Sequence, residues 1–188
     1  MTKWALVTGA SAGIGKEFCE QLAARGDNVV LVARRADRLE ELKAHLEKRY
    51  RVHAEVLAAD LANADDLKRV AERVAQASDP IEVLVNNAGF GLKTAFLDTD
   101  VEKEIASVDV MVKAVVVLSH AAGRAMRERG RGAIINVSSV AGFMASGTYS
   151  AAKSYVTVFS ESLAGQLAGT GVTAVSYTHL TLPTICSV

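Results

Sequence analysis

Two prolines, two cysteines and 5% aromatic side chains are little for a chain of 188 residues. With half the residues hydrophobic, that scarcity suits an α/β protein rich in Ala, Val and Leu. Cys19 and Cys186 make neither a metal-binding spacing nor a disulfide framework, so a reducing, cytoplasmic compartment is expected. There is no excess charge of either sign: 21 Lys and Arg stand against 21 Asp and Glu. Nothing in that balance points to a nucleic acid or an anionic membrane as partner. The four histidines form no H-x-x-H or H-E-x-x-H pattern, so no metal site is expected. At the start, Met1-Thr2-Lys3 runs straight into Trp4-Ala5-Leu6-Val7, with no room for the apolar stretch of a signal segment. The longest apolar run, residues 108–122, is interrupted by Asp109, Lys113 and His120. It is therefore not expected to span a membrane.

What is present is an alternation. Short apolar runs at 4–7, 29–32, 53–57, 83–85 and 133–137 are bounded by Gly, Asp or Asn and predict buried strands. Helix-period segments at 13–25, 38–49, 64–76, Val101–Arg129 (broken or continuous) and 149–168 alternate with them, and a sixth strand is expected at 172–176. Repetition of this kind predicts a Rossmann-type, doubly wound parallel sheet with helices on both faces. From Tyr177 onward neither periodicity survives. Residues 1–176 are thus expected to form one dinucleotide-binding domain, and 177–188 a tail that does not continue the pattern.

Several segments at the carboxyl ends of the expected strands carry chemistry. Thr8-Gly9-Ala10-Ser11-Ala12-Gly13-Ile14-Gly15 follows the first strand and opens the first helix. Gly9 permits a tight bend, Gly13 a close approach to a pyrophosphate, and Gly15 close packing of helix on sheet, with Ser11 and Ile14 beside the same ligand. After the second strand, Ala33 stands where an acidic residue would grip the ribose hydroxyls of NAD, and Arg34 and Arg35 follow. Two arginines suit a 2′-phosphate and so NADP(H); the alternative is a pair of solvated residues at a helix start. Asp60-Leu61 and Asn87-Ala88-Gly89 end the third and fourth strands, where open α/β sheets bind ligands. Asp60 could accept a bond from an adenine amino group, and the Asn87–Gly89 backbone could line a ribose. Ser138 and Ser139 end the fifth strand, with Ser139 the preferred candidate to orient a carbonyl oxygen. Tyr149 and Lys153 lie at i, i+4 and share one helix face. An ammonium held near a phenol favours the phenolate.

In combination these motifs resemble the short-chain dehydrogenase/reductase family, from about Lys3 to Ser176. The resemblance implies hydride transfer between NADP(H), preferred over NAD(H), and a ketone or secondary alcohol. It implies Tyr149 as proton donor and acceptor, Ser139 bonding the substrate oxygen, and Tyr149 and Lys153 also contacting the nicotinamide ribose. It further implies a homodimer or homotetramer built through the segments matching Val101–Arg129 and 149–168, with Val112, Val115, Val116, Val156 and Phe159 as the apolar seam. Phe143 and Met144 would be apolar walls of the substrate pocket or, equally, ordinary packing, and Phe90, Phe96, Phe143 and Met144 together hint at an apolar substrate.

The chain departs from the family pattern in three places. Asp109 stands where an Asn is expected to hold a proton-relay water, and its carboxylate could pair with Lys153. Only nine residues separate Ser139 from Tyr149. After the sixth strand the Pro-Gly turn, helix and final strand of the family are replaced by 177–188, which is expected to be a non-native tail on a truncated domain. Two other readings follow: a dinucleotide-binding fragment without turnover, or an epimerase or dehydratase on the same fold.

Overall fold

The computed structural model describes residues 3–92 and 94–178. Six strands form one parallel sheet: β1 (Trp4–Thr8), β2 (Asn28–Ala33), β3 (Ala54–Ala58), β4 (Ile81–Asn86), β5 (Gly132–Val137) and β6 (Val172–Tyr177), in the order β3-β2-β1-β4-β5-β6. Each agrees with an expected apolar run to within two residues. The helices are α1 (Gly13–Ala24), α2 (Ala36–Tyr50), α3 (Ala64–Ala75), α4 (Val101–Val108), α5 (Ala114–Arg129) and α6 (Gly147–Leu167).

The central strands β1 and β2 read as apolar runs because both sheet faces are covered there, while the edge strands β3 and β6 are partly exposed. Ala5, Val7, Leu31 and Val85 point to the side packed by Phe18 and Leu22 of α1 and Leu39, Leu42 and Leu46 of α2. Leu6, Val30, Leu84 and Ile134 point to the other side, against Leu67 and Val70 of α3 and Leu118 and Met126 of α5. Burial of this kind stabilises by roughly 25 cal/mol per Å² of apolar surface removed from water.

Local signals set the helix ends. The Asn63 side chain accepts bonds from the N–H groups of Asp65 and Asp66, and Asp100 accepts one from Glu102. Gly130 closes α5 in the left-handed region at φ 70°. Between α4 and α5, Asp109–Lys113 forms one π-helical turn, so Val101–Arg129 is a continuous 29-residue helix. By length and composition it could cross a membrane, but here Val115, Leu118, Ala122 and Met126 are buried in the core. Val156 is buried too. Val115 and Val156 therefore cannot belong to an exposed apolar seam; their side chains are already used within the fold.

The sixth strand runs one residue past its expected end, and the Tyr177 carbonyl accepts a bond from the Ser138 N–H at 2.8 Å. The rest of the expected tail, from His179 on, lies outside the described residues.

Candidate functional site

In the strand order, the chain goes left from β1 to β2 and β3, then returns to place β4 on the other side of β1. The two connections leave in opposite directions, which opens a crevice at the carboxyl ends of β1 and β4. The expected glycine turn and the Asn87–Gly89 segment meet there. Thr8 ties them together. Its Oγ1 donates to the Val85 carbonyl at 3.3 Å and accepts from the Asn87 and Ala88 N–H groups at 2.9 and 3.0 Å. The Asn87 amide donates to the Thr8 carbonyl at 2.9 Å. Thr8 belongs to the motif, but its role as a clamp depends on a residue 79 positions away and was not legible in the sequence.

Shape governs the glycines. Gly9 (φ 69°) has no room for a side chain, which would meet the Asn87 amide and the Ala88 backbone. One at Gly15 would run into the Gly9 carbonyl. Gly13 takes φ 55° and faces open space. The N-terminus of α1 carries neither a side-chain cap nor an acidic residue in its first turn. Its orphan N–H groups and the positive end of the helix dipole are thus available to an anion.

A cavity of about 880 Å³ opens over this turn. It is lined by Gly9, Ser11, Ile14, Arg34, Arg35, Asp60, Leu61, Asn87, Ala88 and Gly89, and also by Ser138, Ser139, Tyr149 and Lys153. Gly13 and Gly15 do not line it. Arg34 and Arg35 are exposed at its mouth, and Arg35 Nη2 donates to Ser11 Oγ at 2.9 Å. Asp60 is spent partly on its own turn, where its Oδ1 accepts from the Ala62 N–H at 3.1 Å.

At the other end, Lys153 is buried, at 5% exposure. Its Nζ donates to the Val137 carbonyl at 2.6 Å and stands 5.7 Å from the centroid of the Tyr149 ring. Burial pushes its pKa down from 10.5 to about 8, because the ammonium has lost water. The two serines divide. Ser138 Oγ donates to the Lys153 carbonyl and pairs with Thr157 Oγ1, both at 2.8 Å, which holds α6 to the end of β5. Ser139 Oγ accepts from the Ala141 N–H at 3.2 Å, and its own proton is left for the cavity. Beneath them a buried polar chain fixes the sheet to the helices. Asn86 donates to Asn136 and Ser119, Asn136 donates to Ser160, and Ser160 to the Val156 carbonyl.

Two expectations need correction. Asp109 does not face Lys153; it forms an ion pair with Lys113 at 2.9 Å and does not line the cavity. Met111, in the π turn, is buried. The Met111 side chain and Lys153 Nζ lie 3.2 and 3.6 Å from where a Cβ on Gly89 would be. A side chain there would press on Met111. Phe143 and Met144 are not cavity walls either; both point to solvent, at 73% and 63% exposure. Phe90 does line the cavity.

Comparison with known proteins agrees with this geometry. The sequence pattern of the short chain dehydrogenase family matches residues 3–181. The very-long-chain 3-oxoacyl-CoA reductase of Scheffersomyces stipitis is 34% identical over 184 residues, covering 90% of this chain and 53% of its own. The chain thus spans about half the length of the curated relatives of that kind. The bulky-bulky ketone specific alcohol dehydrogenase of Comamonas testosteroni superposes with a TM-score of 0.91 at 33% identity, covering 94% of this chain and 72% of that one. A short-chain dehydrogenase of Sphingobium yanoikuyae, solved with NADPH, also superposes at 0.91, with 34% identity and coverage of 94% and 70%.

Proposed function

This chain belongs to the short-chain dehydrogenase family, and on that premise we propose that it transfers a hydride between NADP(H) and a ketone or secondary alcohol. The observation that carries the reading is one cavity lined at once by the glycine turn, the two arginines, and Ser139, Tyr149 and Lys153. The dinucleotide, when bound, supplies the hydride chemistry. The residues of this chain bind, orient and move the proton.

The uncapped N–H groups of α1 receive the pyrophosphate. Arg34 and Arg35 meet a 2′-phosphate through charge-assisted bonds, and Ala33 offers NAD no carboxylate. The NADPH bound to the Sphingobium relative supports the same preference. Asp60 and Leu61 flank the adenine, and the Asn87–Gly89 backbone follows the ribose. Lys153, anchored on Val137, turns its remaining N–H donors to the nicotinamide ribose and keeps a positive charge beside the Tyr149 phenol. Tyr149 then gives its proton to the carbonyl oxygen in reduction and takes one from the alcohol in oxidation. Ser139 donates to that oxygen and holds it.

The same reading assigns a cytoplasmic location, in keeping with a sequence whose two cysteines make no disulfide framework. It also assigns a homodimer or homotetramer, supported by the exposed Val101, Ile105, Val108, Tyr155 and Val158 on α4 and α6. Light scattering tests the assembly. Steady-state NADPH oxidation with a panel of ketones tests the activity. Turnover with one or more ketones, faster with NADPH than with NADH, is expected. NADPH binding with no turnover across the panel would leave only a dinucleotide-binding protein.

A further inference from the structure

Helix α4 is folded with its polarity reversed. Its two buried residues are Glu104 and Ser107, at 7% and 1% exposure. Its apolar residues Val101, Ile105 and Val108 are exposed. A helix that merely covers a core turns its apolar stripe inward; here the inward face is polar, while the outward apolar face is the one assigned above to assembly. Glu104 and Ser107 are three residues apart and share one face. That face looks into a second cavity of about 290 Å³, which also takes in Thr94, Thr148 and Tyr149. Tyr149 thus lines both this cavity and the large one. Within it, Glu104 Oε2 is buried and makes no hydrogen bond to any described residue. A buried carboxyl oxygen without a partner is costly, and buried polar groups are satisfied in nearly all proteins. The missing partner is a hydrogen-bond donor, and the Glu104 side chain that lacks it lines the cavity.

We infer that this cavity is a substrate subsite in which Glu104 accepts a hydrogen bond from a hydroxyl or ammonium group on the substituent next to the reacting carbonyl. The substrate class is a hydroxy- or amino-substituted ketone and the corresponding alcohol. Ser107 and Thr148 supply further hydroxyls to such a group. Glu104 selects the substrate and takes no part in proton transfer. The inference rests on Tyr149 marking the reacting centre, as proposed above.

The test uses a matched set of aliphatic ketones that differ only at one terminus, carrying methyl, hydroxyl or ammonium. For each, kcat/KM with NADPH is measured, and binding of the corresponding alcohol is followed separately by saturation-transfer NMR. The wild type is expected to favour the hydroxyl or ammonium member over the methyl member by at least about tenfold. Glu104→Gln should lose the ammonium preference while keeping the hydroxyl one. Glu104→Leu should favour methyl, with a melting temperature equal to or above that of the wild type. Unchanged ratios in both variants, or a lower melting temperature in Glu104→Leu with no change in selectivity, would overturn the inference. If no ketone is turned over, the proposed function fails, but the subsite still stands or falls on binding. It stands if the polar alcohols bind the wild type and not Glu104→Leu, and falls if none binds or all bind both.

Discussion

The two ends of the large cavity are built on different principles. At the β1–β3 end, recognition rests on backbone: a turn of glycines, an uncapped helix start and two exposed arginines. At the β4–β6 end it rests on side chains held by other side chains, with Lys153 anchored on Val137, Ser138 bolted to α6, and Asn136 bridging Asn86 and Ser160. A backbone site tolerates many neighbours as long as the glycines remain. A side-chain site works only if every support is in place, because each buried polar group left unpaired costs about 1–3 kcal/mol. The first end should therefore yield to mutation in affinity, the second in turnover and stability.

The sharpest test of that contrast is Tyr149→Phe. Removing the proposed proton donor is expected to lower kcat by about 100-fold to 10,000-fold, with NADPH affinity unchanged by titration calorimetry. Near-normal turnover would take Tyr149 out of the chemistry and merge the two ends into one binding site.

Next in size is the pH dependence of Lys153. Its folded pKa of about 8 lies below the ordinary 10.5, so between those values the unfolded chain binds more protons. Stability therefore rises with pH through that window, and the penalty of the buried ammonium is fully present below pH 8. Comparing wild type with Lys153→Met by urea unfolding isolates this group from others that titrate there. The difference should move in favour of the wild type by about 2 kcal/mol from pH 7 to pH 10. A flat difference would mean that Lys153 is not desolvated.

At the backbone end the expected effect is smaller and confined to binding. Arg34→Asp should shift the NADPH to NADH affinity ratio by about tenfold or more towards NADH, with kcat for a given ketone little changed. An unmoved ratio would show that Arg34 is only a solvated residue at the start of α2. The smallest effect belongs to Asp109→Asn. Its ion pair with Lys113 is partly exposed, so less than about 1 kcal/mol of stability and no turnover should be lost. A large loss of turnover would return Asp109 to the active site.

How much of this could be read beforehand varies along the chain. All six strands were legible because the central ones, buried on both faces, are apolar runs, and the partly exposed edge strands are still short apolar-rich segments bounded by turn residues. The glycine turn was legible because its spacing alone sets where a side chain cannot fit. Ser139, Tyr149 and Lys153 could be named because they lie in a short span ending β5 and opening α6. Asp109 was misread because a competing partner, Lys113, lies four residues along the same helix, and only the fold shows which lysine the carboxylate meets. Phe143 and Met144 were misread because apolar residues in a short loop look the same whether they line a pocket or face water.

The sequence by itself determined the sheet, its helical cover and the dinucleotide end, since periodicity and glycine spacing are local properties of a chain. Only the tertiary structure decided which of two adjacent serines is bound to α6, that Asp109 pairs with Lys113 and not Lys153, and that Glu104 Oε2 lies buried without a partner among the described residues. Those facts depend on which groups the fold brings together, and hydrogen bonding and desolvation act through space, not along the sequence.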